Sequence, residues 1–87
     1  MSVMEAMRAS LATLDAVAID IIDDSAKHAG HAGARGGGGH FRLTIVSPRF
    51  AGCTTMERHR LVYDALRPLM KQGIHALSIT AKTPDEN

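Results

Sequence analysis

The stretch from residue 40 to residue 67 constrains the fold most, because it joins a strand pattern directly to a helix pattern. Residues 41–46 read FRLTIV and are rich in the branched and aromatic residues that suit a β-strand. A second run has apolar residues along one face of a helix, at Leu61, Val62, Ala65, Leu66, Leu69 and Met70. We therefore expect this helix to pack on a sheet that contains the strand.

The connection between the two segments has the residues of a turn and of a helix start. Gly52 can adopt the positive φ that a turn needs, and Thr54 or Thr55 can cap the helix through its hydroxyl. Pro68 lies near the other end of the helix and cannot donate a backbone hydrogen bond. It predicts a kink there, or an end of the helix near Arg67.

The flanking segments supply one more helix and two more strands. Ser2 and Glu5 have the spacing of a capping box and open a helix of about three turns. Its apolar face comprises Met4, Met7, Leu11 and Leu14. Residues 16–22 and 74–81 alternate with a period of two, which predicts the first and last strands. The inner faces comprise Val17, Ile19 and Ile21 in the first, and His75, Leu77, Ile79 and Ala81 in the last. Residues 83–87 are expected to fray.

The predicted order is helix, strand, strand, helix, strand, which is an α+β fold in a single domain over residues 1–87. The first two strands are expected to pair antiparallel. The strand–helix–strand unit is expected to cross over right-handed and make a parallel pair. The result is a three-stranded mixed sheet with both helices on one face.

Residues 23–39 predict a long flexible loop between the first two strands. Neither the spacing of a helix face nor the alternation of a strand is present. Five of the last seven residues are glycine, which is costly to order. Loops of this length without structure of their own are often functional. This loop carries His28 and His31, and His40 follows where the second strand begins.

Composition narrows the class of protein. The formal net charge of +1 argues against a globally basic nucleic-acid binder. The single cysteine, Cys53, forms no internal disulfide and suits a reducing compartment. No run is apolar enough to span a membrane, and the first residues lack the order of a secretory signal, so we expect a soluble cytoplasmic protein. The catalytic motifs that we considered are missing, so we expect no enzyme.

Three runs together resemble the BolA family. They read HFRLTIVSPRFAG at residues 40–52, RHRLVYDAL at 58–66 and GIHALSITAKTP at 73–84. The resemblance implies a fold similar to class II KH domains, in agreement with the order of elements above. It also implies a role in handling iron–sulfur clusters, in partnership with a monothiol glutaredoxin.

In the family that this chain resembles, the two partners share a [2Fe–2S] cluster that the isolated BolA-like chain does not bind. The glutaredoxin supplies a cysteine thiolate and a glutathione thiol. The BolA side supplies the histidine that opens the last strand, matched here by His75, and a Cys or His from the loop between the first two strands. This loop has no cysteine, so the resemblance implies His28, with His31 as the alternative. Alone, we expect a monomer or a weak homodimer.

A second interpretation is a DNA-binding transcriptional regulator of a stress response, a role for which the family has also been considered. The candidate residues lie on the second helix and are Arg58, His59, Arg60, Arg67 and Lys71. On a helical wheel Arg60, Arg67 and Lys71 lie opposite the apolar stripe, where they can meet duplex DNA. A third interpretation is that the domain only docks onto another protein.

Two residues also have simpler interpretations. Without the family resemblance, His75 on the apolar side of a strand is an ordinary half-buried histidine. Cys53 lies near a helix start, and its simpler interpretation is a plain surface thiol. A zinc site that joins Cys53 to His40 is not expected, because these residues flank a strand about 20 Å long.

Overall fold

The computed structural model describes residues 2–24 and 39–86. Its elements are helix α1 (Val3–Leu11), strand β1 (Ala18–Asp23), strand β2 (Gly39–Val46), helix α2 (Thr55–Met70) and strand β3 (Ile74–Lys82). Short 3-10 turns follow α1 at Ala12–Leu14 and β2 at Pro48–Phe50. The predicted order is confirmed. Residues 25–38, which hold most of the predicted loop and both His28 and His31, lie outside the described residues.

The sheet has the order β1-β2-β3, so β2 is the central strand. β1 pairs antiparallel with β2, with Ile21 opposite Leu43, and β3 pairs parallel with β2, with Leu77 opposite Phe41. The antiparallel pair of β1 with β2 and the parallel pair of β2 with β3 are both as predicted. The α+β fold with a three-stranded mixed sheet is therefore confirmed.

Both helices pack on the same face of the sheet. Alternate residues of β2 point to this face and are buried, namely Phe41, Leu43 and Ile45. Helix α1 contributes Met7 and Leu11 to the same cluster, and α2 contributes Val62 and Leu66. All four of these helix side chains are fully buried. Among the described residues, no helix covers the other face of the sheet.

Helix α1 begins with the predicted capping box, and of the two threonines predicted as caps of α2, Thr54 is the cap and also forms a capping box. Ser2 caps α1 and Thr54 caps α2, and each hydroxyl accepts from the backbone N–H of a glutamate three residues later. The carboxylates of those residues, Glu5 and Glu57, accept from the backbone N–H of the cap in return. Gly52 precedes the second cap with φ of 76°, the left-handed conformation that glycine adopts at little cost.

Helix α2 runs through Pro68 to Met70, so of the two predicted outcomes an end near Arg67 is excluded, and Met70 stays half-buried against the core. Two other local predictions are wrong. Val17 precedes β1 and is 64% exposed, because the paired strand begins only at the next residue. The segment after β3 does not fray over its described part, since Thr83 is buried and Glu86 is held by an ion pair.

Candidate functional site

A β-bulge sets the direction of His75. Gly39 is opposite Ile74 and His40 is opposite Ala76, so His75 is an extra residue in β3 with no partner of its own in β2. Bulges of this kind redirect side chains. Ile74 before the bulge is buried, whereas His75 is exposed. The prediction that His75 lies on the inner face with Leu77 is therefore wrong, because the bulge shifts the alternation by one residue.

The exposed imidazole of His75 lies beside the imidazole of His40. Their ring centroids are 5.2 Å apart and their planes are tilted by 51°. His40 is only half-exposed, and its Nε2 atom is buried. The sequence patterns predict no role for His40. The parallel pairing of β2 with β3 could have suggested one, because it brings the beginnings of both strands to the same end of the sheet.

A cleft of about 340 Å³ opens next to this pair. It is lined by Asp24, His40, Phe41, Arg42, Ala76, Leu77 and Ser78. Arg42 donates from Nε to Oδ2 of Asp24 at 2.6 Å, so the cleft contains an ion pair as well as an imidazole. It therefore offers polar and apolar surface next to an exposed histidine.

Both ends of the segment that carries His28 and His31 lie at this cleft. Asp24 lines it and donates its backbone N–H to the carbonyl of His40 at 2.7 Å. Gly39 precedes His40 directly and donates its backbone N–H to the carbonyl of Gly73 at 2.9 Å. The predicted assignment of His28 or His31 as a ligand falls outside the described residues and stays a prediction.

Within residues 2–24 and 39–86, no three His, Cys, Asp or Glu side chains are close enough together to hold a metal ion. Cys53 is half-buried, and its Sγ atom lies 3.7 Å from the carbonyl oxygen of Arg49, in the turn that follows β2. A metal centre that includes His75 therefore needs ligands from beyond the described part of the chain.

Arg58 is fixed to several neighbouring groups. Its Nη1 and Nη2 atoms donate to the two carboxylate oxygens of Glu86 at 2.6 and 3.1 Å. It also donates to the carbonyl oxygens of Cys53 and Ala81, each at 3.1 Å. The side chain is 13% exposed, so it connects α2 to β3 and to the segment after it. The structure therefore separates Arg58 from the exposed basic residues of α2.

The remaining basic residues of α2 share their surface with acidic ones. Arg60, Arg67 and Lys71 are exposed, as the helical wheel predicts, whereas His59 is half-buried. Asp64 lies between them on the helix, and its carboxylate accepts from Nη2 of Arg67. This face of α2 thus has mixed charge, which reduces the attraction that it can exert on phosphate.

A family model described as BolA-like protein matches residues 11–86. The chain belongs to the BolA-like family. A solved structure of BolA1 from Arabidopsis thaliana superposes with a TM-score of 0.84 at 40% identity, and the match covers 100% of this chain and 98% of that one. The elements that place His75 are therefore arranged as in a known BolA fold.

Two curated relatives come from the same plant. SufE-like protein 1, chloroplastic/mitochondrial, is 51% identical over an alignment of 78 residues, and the match covers 84% of this chain and 21% of that protein. Protein BOLA1, chloroplastic, is 48% identical over an alignment of 77 residues, and the match covers 85% of this chain and 48% of that protein. This BolA-like chain thus spans less than half the length of either relative.

The compartments in these two names are those of the plant proteins. No helix in the described part of this chain is long and apolar enough to cross a membrane. The cytoplasmic location expected from the sequence stays a prediction.

Proposed function

We propose that this BolA-like domain is an iron–sulfur cluster assembly or trafficking factor that shares a [2Fe–2S] cluster with a monothiol glutaredoxin. The observation that carries the proposal is the exposure of His75. The bulge at the beginning of β3 turns this imidazole out of the core and places it beside the cleft. A partner protein can reach a ligand in this position without any change in the BolA fold.

The donor set fits a cluster that is cargo between two proteins. Neutral imidazole binds iron of a [2Fe–2S] cluster in place of thiolate, and this replacement raises the reduction potential. We assign His75 as one ligand and His28 as the second, with His31 as the alternative. The glutaredoxin supplies its cysteine and a bound glutathione.

The chain between Asp24 and a loop ligand is long enough for this arrangement. His28 follows Asp24 by four residues, which span at most about 14 Å when fully extended. Since Asp24 lines the cleft, a loop histidine can approach the exposed ring of His75. The length of this segment is compatible with either His28 or His31 as the ligand, so substitutions are needed to identify which of the two binds the cluster.

Reconstitution tests the proposal. The chain is mixed with a monothiol glutaredoxin, iron, sulfide and glutathione, and the visible circular dichroism is compared with that of the glutaredoxin homodimer. We expect the wild-type mixture to give a distinct spectrum, and His75→Ala to return it to that of the homodimer. Of His28→Ala and His31→Ala, the one that removes the ligand should have the larger effect.

His59→Ala is the matched control, because it removes a half-buried histidine of α2 that lies outside the cleft. It should leave the spectrum of the mixed complex unchanged. A His75→Ala mixture with the wild-type spectrum would contradict the ligand assignment. Failure of the wild-type chain to change the glutaredoxin spectrum would contradict the proposed function as a whole.

A further inference from the structure

We propose that His40 is a positioning residue for His75. On this proposal, the ring of His40 is a fixed surface against which the exposed imidazole of His75 is held in the orientation that metal binding needs. The inference rests on the proposed function for its consequence, but its structural part concerns this chain alone. It gives a role to a histidine that neither the sequence patterns nor the proposed ligand set includes.

The backbone around His40 is held from several directions. Its carbonyl accepts from the N–H of Asp24 at 2.7 Å, and its Cα lies opposite that of Ala76 in the parallel ladder. The next residue, Phe41, is 4% exposed and belongs to the core. The His40 ring therefore starts from a rigid part of the sheet, and the burial of its Nε2 atom shows that it is packed.

His75 is in the opposite situation. It is the extra residue of the bulge, and its side chain is exposed. An exposed side chain samples several rotamers, and fixing it costs entropy. The ring of His40 lies beside the ring of His75. On this proposal, that contact restricts the rotamers of His75.

The geometry suits a supporting ring better than a second ligand. A centroid separation of 5.2 Å with a tilt of 51° lies in the range of favourable aromatic contacts, which is about 4.5 to 7 Å. A ligand must present a nitrogen to the ion, and Nε2, one of the two ring nitrogens of His40, is buried. Histidine ligands in proteins usually donate their second ring N–H to a hydrogen-bonding partner that orients them, and loss of that partner commonly weakens metal binding about 10- to 100-fold. We expect a ring contact that orients His75 to act at the lower end of this range.

Two substitutions separate a supporting ring from a ligand. His40→Phe keeps an aromatic ring but has no nitrogen, whereas His40→Ala removes the ring. We expect the complex of His40→Phe with the glutaredoxin to lose its cluster to a chelator at about the wild-type rate. The His40→Ala complex should lose it about tenfold faster, in keeping with the loss of an orienting neighbour. His59→Ala is again the control and should match the wild type.

The isolated chain gives a readout that needs no partner. Three-bond NMR couplings report the χ1 rotamer of His75 in the wild type and in both variants. We expect one dominant rotamer in the wild type and in His40→Phe, and averaged couplings in His40→Ala. This result would stand even if no cluster formed with the glutaredoxin, so the two proposals can fail separately.

Two kinds of outcome would overturn the positioning role. Couplings that are averaged already in the wild type, or that are unchanged in His40→Ala, would show that the ring does not restrain His75. If both His40→Phe and His40→Ala lost the cluster faster than the wild type and at the same rate, a nitrogen of His40 would have to act directly. Loss at the wild-type rate in both variants would show that the ring has no effect. If His40→Ala does not fold, the comparison of His40→Phe with the wild type still decides between a ring and a nitrogen.

Discussion

Ser47 is a polar residue that is fully buried, and its hydroxyl is used twice. The Oγ atom donates to the carbonyl of Leu14 at 2.5 Å and accepts from the backbone N–H of Arg49 at 3.0 Å. Its own backbone N–H donates to the carbonyl of Lys82 at 2.9 Å. A single residue thus connects the turn after α1, the end of β2 and the end of β3.

Replacing Ser47 by alanine should lower the free energy of unfolding by about 1–3 kcal/mol, because the buried carbonyl of Leu14 and the partly buried N–H of Arg49 lose their partner. Urea denaturation followed by circular dichroism measures this change. Ser78→Ala is the matched control, since Ser78 is exposed in β3. The control should change stability by less than about 0.5 kcal/mol. An equally small effect of Ser47→Ala would show that its hydrogen bonds contribute little.

At the scale of elements, the ion pair between Arg58 and Glu86 connects α2 to the segment after β3. Besides the two bonds from Arg58, Glu86 accepts from the backbone N–H of Thr83 at 2.9 Å through Oε1. These contacts with Arg58 and Thr83 lower the pKa of Glu86 from 4.5 to about 2. The carboxylate is therefore charged in the folded state over a range in which it is protonated in the unfolded chain.

This shift predicts the sign of one contribution to acid stability. A folded-state pKa below the unfolded value stabilises the fold above about pH 4.5, and this contribution is lost as the pH falls toward 2. The urea midpoint of the wild type should therefore drop between pH 5 and pH 2.5. Glu86→Gln should reduce this drop, because it removes the group that titrates.

Arg58→Gln is the matched variant, because it removes the main cause of the lowered pKa and leaves the carboxylate in place. It should also reduce the drop in the midpoint between pH 5 and pH 2.5. A full wild-type drop in both variants would mean that other carboxylates account for the acid sensitivity. The urea midpoint of each protein at pH 2.5 is compared with its own midpoint at pH 5, so a change in overall stability does not affect the comparison.

DNA binding through the exposed face of α2 stays a prediction, and substitutions on this face test it. If this face binds duplex DNA, Arg60→Ala should weaken binding and reduce the slope of log K against log salt by about 1. Asp64→Asn should strengthen binding, because the carboxylate of Asp64 partly neutralises Arg67. Fluorescence anisotropy with a labelled duplex at several salt concentrations measures both effects. No binding, or binding that salt does not affect, would eliminate this interpretation.

At the scale of the whole molecule, the two faces of the sheet differ in what covers them. One face carries both helices and the apolar core. The other presents side chains such as Arg42 and Ser78 to the surface, within the described part of the chain. The candidate site lies where β2 and β3 begin, next to the ends of the segment between β1 and β2. A glutaredoxin that binds there would leave the core undisturbed.

The sequence by itself determined the order of the elements and most of the core. Periodicity of 3.6 and of two residues reports which side chains face inward, and capping residues such as Thr54 mark helix starts through local hydrogen bonds. These signals depend on near neighbours in the chain, so they can be read without the fold. Inward-facing residues such as Leu43 and Val62 follow from them directly.

Only the tertiary structure decided where the candidate ligand points. A strict alternation places His75 in the core, but the register between β2 and β3 shifts by one residue and turns it outward. That shift arises from pairing between segments about 35 residues apart, which no local pattern records. The same pairing brings His40 beside His75, and the packing of α2 beside the end of β3 holds Arg58 against Glu86. Residue types predicted which side chains can bind metal, and long-range contacts between strands and helices determined where those side chains lie.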